Sequence, residues 1–241
     1  MKTGMVIQAR MSSRRFPKKV MLPLAGKPVI QHIVERLSHI KNRPVIIATS
    51  TAASDDVLAD FCRQQGYNVV RGDLENVLER YRLAADQFQL NTIVRITGDS
   101  PLIDPWIVEK MIENFHKGSF DYYSNLRPRT MPRGFGCEIF KRSLLDATVH
   151  DRQAGDQGEF VVIPYLNRHV QSLKTGNFQM DRDDSSLRLT LDEAPDYELI
   201  RIIYDELYAK NNLFTYLDVI SFLNRNPQLK TINAHVQSKN P

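Results

Sequence analysis

The chain has 241 residues, an apolar fraction of 42%, a charged fraction of 25% and a formal net charge of +4, which suits one globular domain with a full hydrophobic core. This net charge is too small to indicate nucleic-acid binding, and no apolar run approaches the roughly 20 residues of a membrane-spanning helix. The two cysteines, Cys62 and Cys137, lie far apart in the sequence and indicate neither a disulfide framework nor a zinc site. We therefore expect a cytoplasmic protein, and the charge and the short apolar runs predict that it binds neither nucleic acid nor membrane.

Strands and helices alternate through the first 125 residues. Short β-branched runs predict buried strands at 5–9, 44–50, 67–71 and 92–97, and amphipathic stretches predict helices at 28–40, 54–65, 74–88 and 105–117. Pro28 is expected at the first position of its helix, and Ser54 with Asp55 at the cap of the next. This alternation predicts an α/β fold, in which a mostly parallel sheet is covered by helices on both faces.

The pattern loosens after residue 125. Segment 126–140, LRPRTMPRGFGCEIF, is rich in proline, glycine and arginine. Beyond it the sequence predicts helices at 142–149 and 159–169, a strand at 186–192 and a long helix at 195–210. We expect the tail from residue 224 onward to be irregular.

Three polar clusters follow predicted strands. A basic loop holds Arg10, Arg14, Arg15, Lys18 and Lys19, while Asp99 follows strand 92–97 and Asp192 ends strand 186–192. Ligands of open α/β sheets bind at the carboxyl ends of the strands, where cations neutralise phosphates and carboxylates hold Mg²⁺. Together the clusters predict a nucleoside triphosphate site, although each alone also fits a solvated loop or a turn. Neither a Walker A sequence nor a G-x-G-x-x-G turn occurs.

Three stretches resemble the cytidylyltransferases that activate acidic sugars as CMP conjugates: 6–37, RITGDSPLIDP at 95–105 and LRLTLDEAPDYELI at 187–200. That group includes the CMP-Kdo and CMP-nonulosonate synthetases. The resemblance is strongest to the spore-coat polysaccharide biosynthesis F-type branch, and it runs from about residue 5 to residue 210. The A-R-x-x-S-x-R-x-P-x-K pattern of the family is met by Ala9, Arg10, Ser13, Arg15, Pro17 and Lys19.

The resemblance implies a Rossmann-like nucleotide-diphospho-sugar transferase fold with CTP at the carboxyl edge of the sheet. It also implies a single domain over 1–241, with a nucleotide-binding half at about 1–125, an acceptor and dimerisation region at about 120–185, and a second metal-site strand and helix at 186–210. A homodimer is expected. The implied reaction is Mg²⁺-dependent transfer of CMP from CTP to an acidic sugar of the ulosonic or nonulosonic type, with release of pyrophosphate, in the biosynthesis of surface polysaccharides.

The family motifs assign roles to individual positions. Arg15, Lys19 and Asp99 would be catalytic, and Asp99 and Asp192 would bind Mg²⁺. The residues implied to bind the nucleotide are Ala9, Arg10, Ser13, Arg15, Lys19, Thr49, Ser50, Arg71 and Asp99.

Departures from the family pattern concentrate on the acceptor side. Relatives tend to read P-D-G-L-D-V-E-V-F where this chain has PRGFGCEIF at 132–140, so two acids are replaced by Arg133 and Gly136 while Glu138 remains. The FVVIPY segment at 160–165 lacks an acid and a histidine, and Lys18 stands where glycine is usual. We predict acceptor binding by Arg127, Arg129, Arg133 and Glu138; drift of a surface loop explains the same changes equally well.

Two other functions remain open at this stage. One is a glycosyltransferase that uses a nucleotide sugar. Such enzymes usually present a D-x-D metal motif on a strand in the middle of the chain, and the triplet Asp181-Arg182-Asp183 lies in a loop-like stretch after the nucleotide half, which weakens this alternative. The other is a non-catalytic module that binds a nucleotide or a sugar. Retention of both Asp99 and Asp192 favours catalysis, since binding alone needs fewer carboxylates.

Overall fold

The computed structural model of the chain describes residues 2–151 and 161–237. The strands and helices predicted for the first half are confirmed, with small shifts at their ends. The strands are β1 (Thr3–Gln8), a short hairpin of β2 (Pro23–Leu24) and β3 (Lys27–Pro28), β4 (Val45–Ser50), β5 (Asn68–Gly72) and β6 (Thr92–Thr97). The helices are α1 (Val29–Leu37), α2 (Asp56–Gln64), α3 (Val77–Gln87) and α4 (Pro105–Gly118).

The second half departs further from the prediction. It contains β7 (Tyr122–Ser124), β8 (Glu138–Lys141), α5 (Arg142–His150), α6 (Ile163–His169), β9 (Thr175–Asn177), α7 (Ala194–Leu207) and α8 (Tyr216–Arg225). The helices predicted at 142–149 and 195–210 are confirmed. The helix predicted at 159–169 begins only at Ile163, and its first two residues lie outside the described residues. Helix α8 was not predicted.

Among the described residues, one seven-stranded sheet runs in the order β5-β4-β1-β6-β8-β7-β9. The first four of these strands are parallel, β8 is antiparallel to both β6 and β7, and β7 is parallel to β9. Successive residues of β1 point to opposite faces: Met5 and Ile7 join one core cluster and Val6 joins the other. Helices α1, α2, α4, α7 and α8 pack on the first face, and α3, α5 and α6 on the second. The predicted mostly parallel α/β fold is therefore confirmed.

The strand predicted at 186–192 is wrong. Its backbone forms a single bridge between Arg188 and Arg133, in which the Arg133 amide donates to the Leu187 carbonyl (3.1 Å) and the Leu189 amide donates to the Arg133 carbonyl (2.8 Å). Leu189 and Leu191 are buried in the core. The alternation of leucines therefore reflects burial of one side of an extended segment, and this segment is not a member of the sheet.

Helix α1 begins at Val29, so Pro28 precedes the helix rather than occupying its first position. Within the described residues, no helix combines the length and apolar character that a membrane crossing requires.

Candidate nucleotide site

A cavity of about 530 Å³ opens beyond the carboxyl ends of β1 and β6. Gly98, directly after β6, lets the two strand ends approach, since a Cβ atom there would lie 2.9 Å from the Ala9 Cβ. The structure brings most of the predicted site residues to the cavity wall: Ala9, Arg10, Ser13, Arg15, Lys19, Asp99, Asp192, Arg127, Arg129, Arg133 and Glu138. Residues predicted from four separate stretches of sequence therefore face one cavity.

The basic loop is closed by its own backbone. The Lys18 amide donates to the Met11 carbonyl (2.8 Å), and Lys18 itself has a φ of 62°, in the left-handed region. Glycine adopts this conformation without the steric cost that a side chain brings, on the order of 1 kcal/mol. Lys18 therefore stands at a position where glycine would avoid this cost. Immediately after this turn the chain directs Lys19 into the cavity.

Lys19, Asp99 and Asp192 form a cluster that we call the carboxylate corner. The Lys19 Nζ lies 2.8 Å from the Asp99 Oδ2 and 2.8 Å from the Asp192 Oδ1. Burial of the Lys19 ammonium acts to lower its pKa, but the charges of the two carboxylates outweigh burial and the pKa lies above its ordinary value. Burial likewise acts to raise the pKa of Asp99, and the Lys19 charge outweighs it, so that pKa lies below its ordinary value. Both groups are therefore held in their charged forms.

Asp192 is fixed from behind by residues that the sequence did not single out. Arg188 donates to Asp192 (3.1 Å) and makes a forked contact with the fully buried Asp196. Asp196 in turn accepts from the backbone amide of Asp192 (3.0 Å). From the front, the Arg15 guanidinium lies 2.9 Å from the Asp192 carboxylate. Although Asp192 does not end a sheet strand, this network holds it at the cavity.

Asp55 occupies the N-cap position of helix α2, as the sequence predicts, but its side chain makes no capping hydrogen bond. Its carboxylate accepts instead from the Met11 amide (2.7 Å), the Thr49 hydroxyl (3.1 Å), and the amide and hydroxyl of Ser50. The Met11 contact fixes the chain directly after Arg10, where the basic loop begins. Asp55 is thus a positioning residue for this loop, and its nearness to Met11 could not be read from a separation of 44 positions.

Thr49, Ser50 and Arg71 are not brought to the cavity. The hydroxyls of the first two donate to Asp55, and both residues are fully buried. Arg71 donates to the carbonyls of Ser50 and Ala52 and to Asp56, which joins the end of β4 to the start of α2. Their predicted contact with the nucleotide stays a prediction, and these hydrogen bonds have a supporting role in the fold.

The floor of the cavity contains a buried ion pair between Arg95 and Glu138. The Tyr122 hydroxyl donates to the Glu138 Oε1 (2.8 Å), and Arg95 also donates through Nε to the Gln8 Oε1 (3.0 Å). Burial acts to lower the pKa of Arg95, but the Glu138 carboxylate outweighs it and raises this pKa. An arginine in the interior of a buried strand is the sequence signal that could have identified this pair.

Segment 127–134 lies in the connection between β7 and β8 and presents Arg127, Arg129 and Arg133 to the cavity. We call this segment the arginine platform. The backbone bridge to Arg188 supports its far end. Gly134 has a φ of 105°, and a Cβ atom there would lie 2.2 Å from the Leu189 carbonyl oxygen, so only glycine permits this approach. Burial lowers the pKa of Arg129, and the positive charge of Arg133 lowers it further.

The D-x-D triplet does not contribute to this site. Asp181 and Asp183 are exposed and are absent from the residues that line the cavity, and Asp183 accepts from the Ser185 amide within its own turn (2.9 Å). This placement weighs against the glycosyltransferase alternative, since its metal motif would have to face the nucleotide.

Comparison with known proteins agrees with these features. A family model described as cytidylyltransferase matches residues 5–217. The spore coat polysaccharide biosynthesis protein SpsF of Bacillus subtilis is 33% identical over 94% of this chain and 95% of its own length. An 8-amino-3,8-dideoxy-manno-octulosonate cytidylyltransferase of Shewanella frigidimarina is 33% identical over 65% of this chain and 61% of its own length. Among solved structures, a cytidylyltransferase from Leptospira borgpetersenii superposes with a TM-score of 0.88, at 31% identity and over 100% of both chains.

Proposed function

We propose that this chain, which belongs to the cytidylyltransferase family and is therefore a nucleotidyltransferase, transfers CMP from CTP to an acidic sugar of the ulosonic type and releases pyrophosphate. The observation that carries the proposal is the carboxylate corner, where Asp99 and Asp192 hold one cationic group between them at the edge of a cation-rich cavity. The names of the relatives support the choice of CTP, of a sugar acid and of a place in surface polysaccharide biosynthesis.

The basic loop is the part of the cavity suited to the triphosphate. Four cations from one ten-residue stretch line the cavity here: Arg10, Arg14, Arg15 and Lys19. Arginine can bind phosphate through two parallel hydrogen bonds, whereas lysine acts as a point charge. On arrival of CTP, we expect Arg15 and Lys19 to exchange their carboxylate partners for phosphate oxygens. Their positive charges would then stabilise the pyrophosphate as it leaves.

The carboxylate corner fits a Mg²⁺ ion. Two carboxylate oxygens already surround a cation at 2.8 Å each, and Mg²⁺ binds through one or two carboxylates together with substrate phosphates and water. Within the described residues there is no cluster of three or more potential metal-binding side chains. Asp99 and Asp192 would hold the ion, and bound Mg²⁺ supplies charge neutralisation at the reacting phosphates.

In the proposed reaction a sugar hydroxyl attacks the α-phosphorus of CTP. A bond forms from the hydroxyl oxygen to this phosphorus, the bond to the β-phosphate breaks, and the hydroxyl proton passes to the solvent. The protein contributes position and charge rather than a covalent intermediate. Buried Arg188 and Asp196 keep Asp192 in place, and Asp55 keeps the basic loop in place, so the charges are arranged before the substrates arrive.

The test combines nucleotide binding with turnover. Mg²⁺-enhanced thermal stabilisation by CTP, but not by UTP, ATP, GTP or UDP-sugars, is the expected result for the wild-type chain. Asp99→Asn should lower pyrophosphate release by a factor on the order of 10²–10³, as losses of single preorganised charge-stabilising groups do. Asp60→Asn is the matched control, since Asp60 lies on the surface of α2 and pairs with Arg63. A preference for UDP-sugars would instead indicate glycosyl transfer.

Three further predictions stay predictions. They are the division into a nucleotide half, an acceptor region at about 120–185 and a second metal-site region, the homodimer, and the cytoplasmic location. Light scattering of the purified chain would test the dimer.

A further inference from the structure

We propose that Arg129 is the residue through which this enzyme requires a carboxylate on its acceptor, with Arg133 reinforcing the positive potential beside it. This inference rests on the proposed function and adds to it a specificity-determining residue. The acceptor class that it defines is a sugar acid bound through its carboxylate, and the neutral ester of the same sugar is excluded.

The first support is electrostatic. Arg129 is partly buried, and both burial and the neighbouring Arg133 lower its pKa, which means that its charged form is destabilised where it stands. Across residues 2–151 and 161–237, its guanidinium forms neither an ion pair nor a hydrogen bond. A partly buried guanidinium that faces a cavity without a partner retains its full capacity for a ligand carboxylate.

The second support is rigidity. Residues on both sides of Arg129 are held by more distant parts of the chain: the Asn177 side-chain amide donates to the Pro128 carbonyl (2.9 Å), and the Asp184 backbone amide donates to the Thr130 carbonyl (2.8 Å). The Thr130 hydroxyl also accepts from the Met180 amide (2.9 Å). The backbone that carries Arg129 is therefore fixed before a ligand binds, which lowers the entropic cost of binding.

The third support is that Glu138, the acidic residue in the same region, has partners other than Arg129. Glu138 lines the cavity, but one of its oxygens accepts from Tyr122 and the other pairs with Arg95. The Glu138 charge also acts to raise the pKa of Arg129, but burial and Arg133 outweigh it, and Glu138 makes no hydrogen bond with Arg129 among the described residues. The carboxylate of an acidic acceptor could pair with Arg129. A neutral acceptor would leave Arg129 partly desolvated and unpaired, which weakens binding.

The triphosphate does not need Arg129. The basic loop supplies its own cations, and two of them, Arg10 and Arg14, likewise have no hydrogen-bonded partner within the described ranges. Arg129 is separated from this loop in sequence and belongs to the arginine platform, whose bridge to Arg188 places it against the segment that carries Asp192. Because the basic loop already supplies cations for the triphosphate, Arg129 remains available for the anion of the acceptor.

The experiment measures the binding of matched acids and esters by calorimetry. The wild-type chain is first saturated with Mg²⁺ and a CTP analogue that has a methylene bridge between the α- and β-phosphates. It is then titrated with 2-keto-3-deoxy-manno-octonic acid, pyruvate and their methyl esters. We expect each acid to bind more tightly than its ester by roughly 10- to 100-fold, the range of a hydrogen bond to a charged group. Arg129→Met should remove this preference, and Arg129→Lys should restore part of it.

Arg201→Met is the matched control, because Arg201 lies on the exposed side of α7 and pairs with Asp205. It should keep the preference for acids, and all variants should bind the CTP analogue as the wild type does. Equal binding of acid and ester, no binding of either acid, or an intact preference in Arg129→Met would each overturn the inference. So would a loss of analogue binding in Arg129→Met, which would assign Arg129 to the nucleotide. Failure of the wild-type chain to bind the analogue would instead overturn the proposed function.

Discussion

The carboxylate corner and the arginine platform line the same cavity but differ in how they hold positive charge. In the corner, Lys19 lies between two carboxylates and its pKa is raised; on the platform, Arg129 lies beside another arginine and its pKa is lowered by burial and by that neighbour. A cation that is paired with carboxylates, such as Lys19, can exchange them for the anionic oxygens of a ligand, so the charge around the cation changes little. A cation without a partner favours ligands that bring a negative charge. The first arrangement suits handling of a metal and phosphates, and the second suits selection of the acceptor.

The largest effect on stability is expected at the border of the two regions, where Arg95 pairs with Glu138. Arg95→Met would leave a buried carboxylate without its partner, and the free energy of unfolding should fall by about 3–5 kcal/mol. Urea denaturation measures this change. Arg82→Met is the control, because Arg82 pairs with Glu79 and Asp86 on the surface of α3, where such pairs contribute about 0–1 kcal/mol. Similar small losses in both variants would contradict the structural role given to Glu138.

A smaller loss is expected at Asp55, which supports the nucleotide side. Asp55→Asn removes the charge that accepts from Met11, Thr49 and Ser50, and should lower the free energy of unfolding by about 1–3 kcal/mol. Because the Met11 contact sets the start of the basic loop, the affinity for CTP should fall as well, while the affinity for an acid acceptor should change less. Equal losses of both affinities would show that the two sides of the cavity are not separate. Calorimetry gives both values.

The smallest effect, on the order of tenfold, is expected for metal binding in Lys19→Ala without nucleotide. Removing the ammonium frees two carboxylates that each accept a charge-assisted hydrogen bond, so Mn²⁺, used as a probe for Mg²⁺, should bind more tightly than to the wild type. Electron paramagnetic resonance of free Mn²⁺ measures the affinity. Lys27→Ala, which breaks a surface pair with Glu35, should leave it unchanged. Unchanged or weaker Mn²⁺ binding in Lys19→Ala would argue that the corner does not hold metal.

The sequence predicts which side chains of the basic loop and the carboxylate corner meet at the cavity, because these residues belong to short continuous motifs, whereas Thr49, Ser50 and Arg71 lie outside the cavity wall. Arg10, Arg15 and Lys19 follow one strand and Asp99 follows another, and parallel strands bring their carboxyl ends together. The residues that support these side chains could not be found in this way. Asp55 and Asp196 act on loops through backbone amides, and the sequence pattern around an acid does not reveal which amides it will meet.

For the predicted acceptor region, the sequence named Arg127, Arg129, Arg133 and Glu138, which all line the cavity, but not the relation between them. Glu138 belongs to an antiparallel strand inserted between β6 and β7, a pairing that the glycine-rich segment before it concealed. The segment at 186–192 shows the opposite error, since its alternating leucines resemble a strand although only Arg188 forms a bridge. Periodicity reports which side of a segment is buried, and long-range pairing decides whether that segment joins a sheet.

The backbone bridge between Arg133 and Arg188 has a geometric consequence. It ties the arginine platform to the segment that ends at Asp192, so the platform and the carboxylate corner cannot move apart without breaking the two backbone hydrogen bonds of Arg133. The distance between the arginine platform and the carboxylate corner is then fixed. Under the proposed function, an acceptor would be selected by the distance between its carboxylate and its hydroxyl, because a shorter acid bound at the arginine platform would not reach the phosphate at the carboxylate corner.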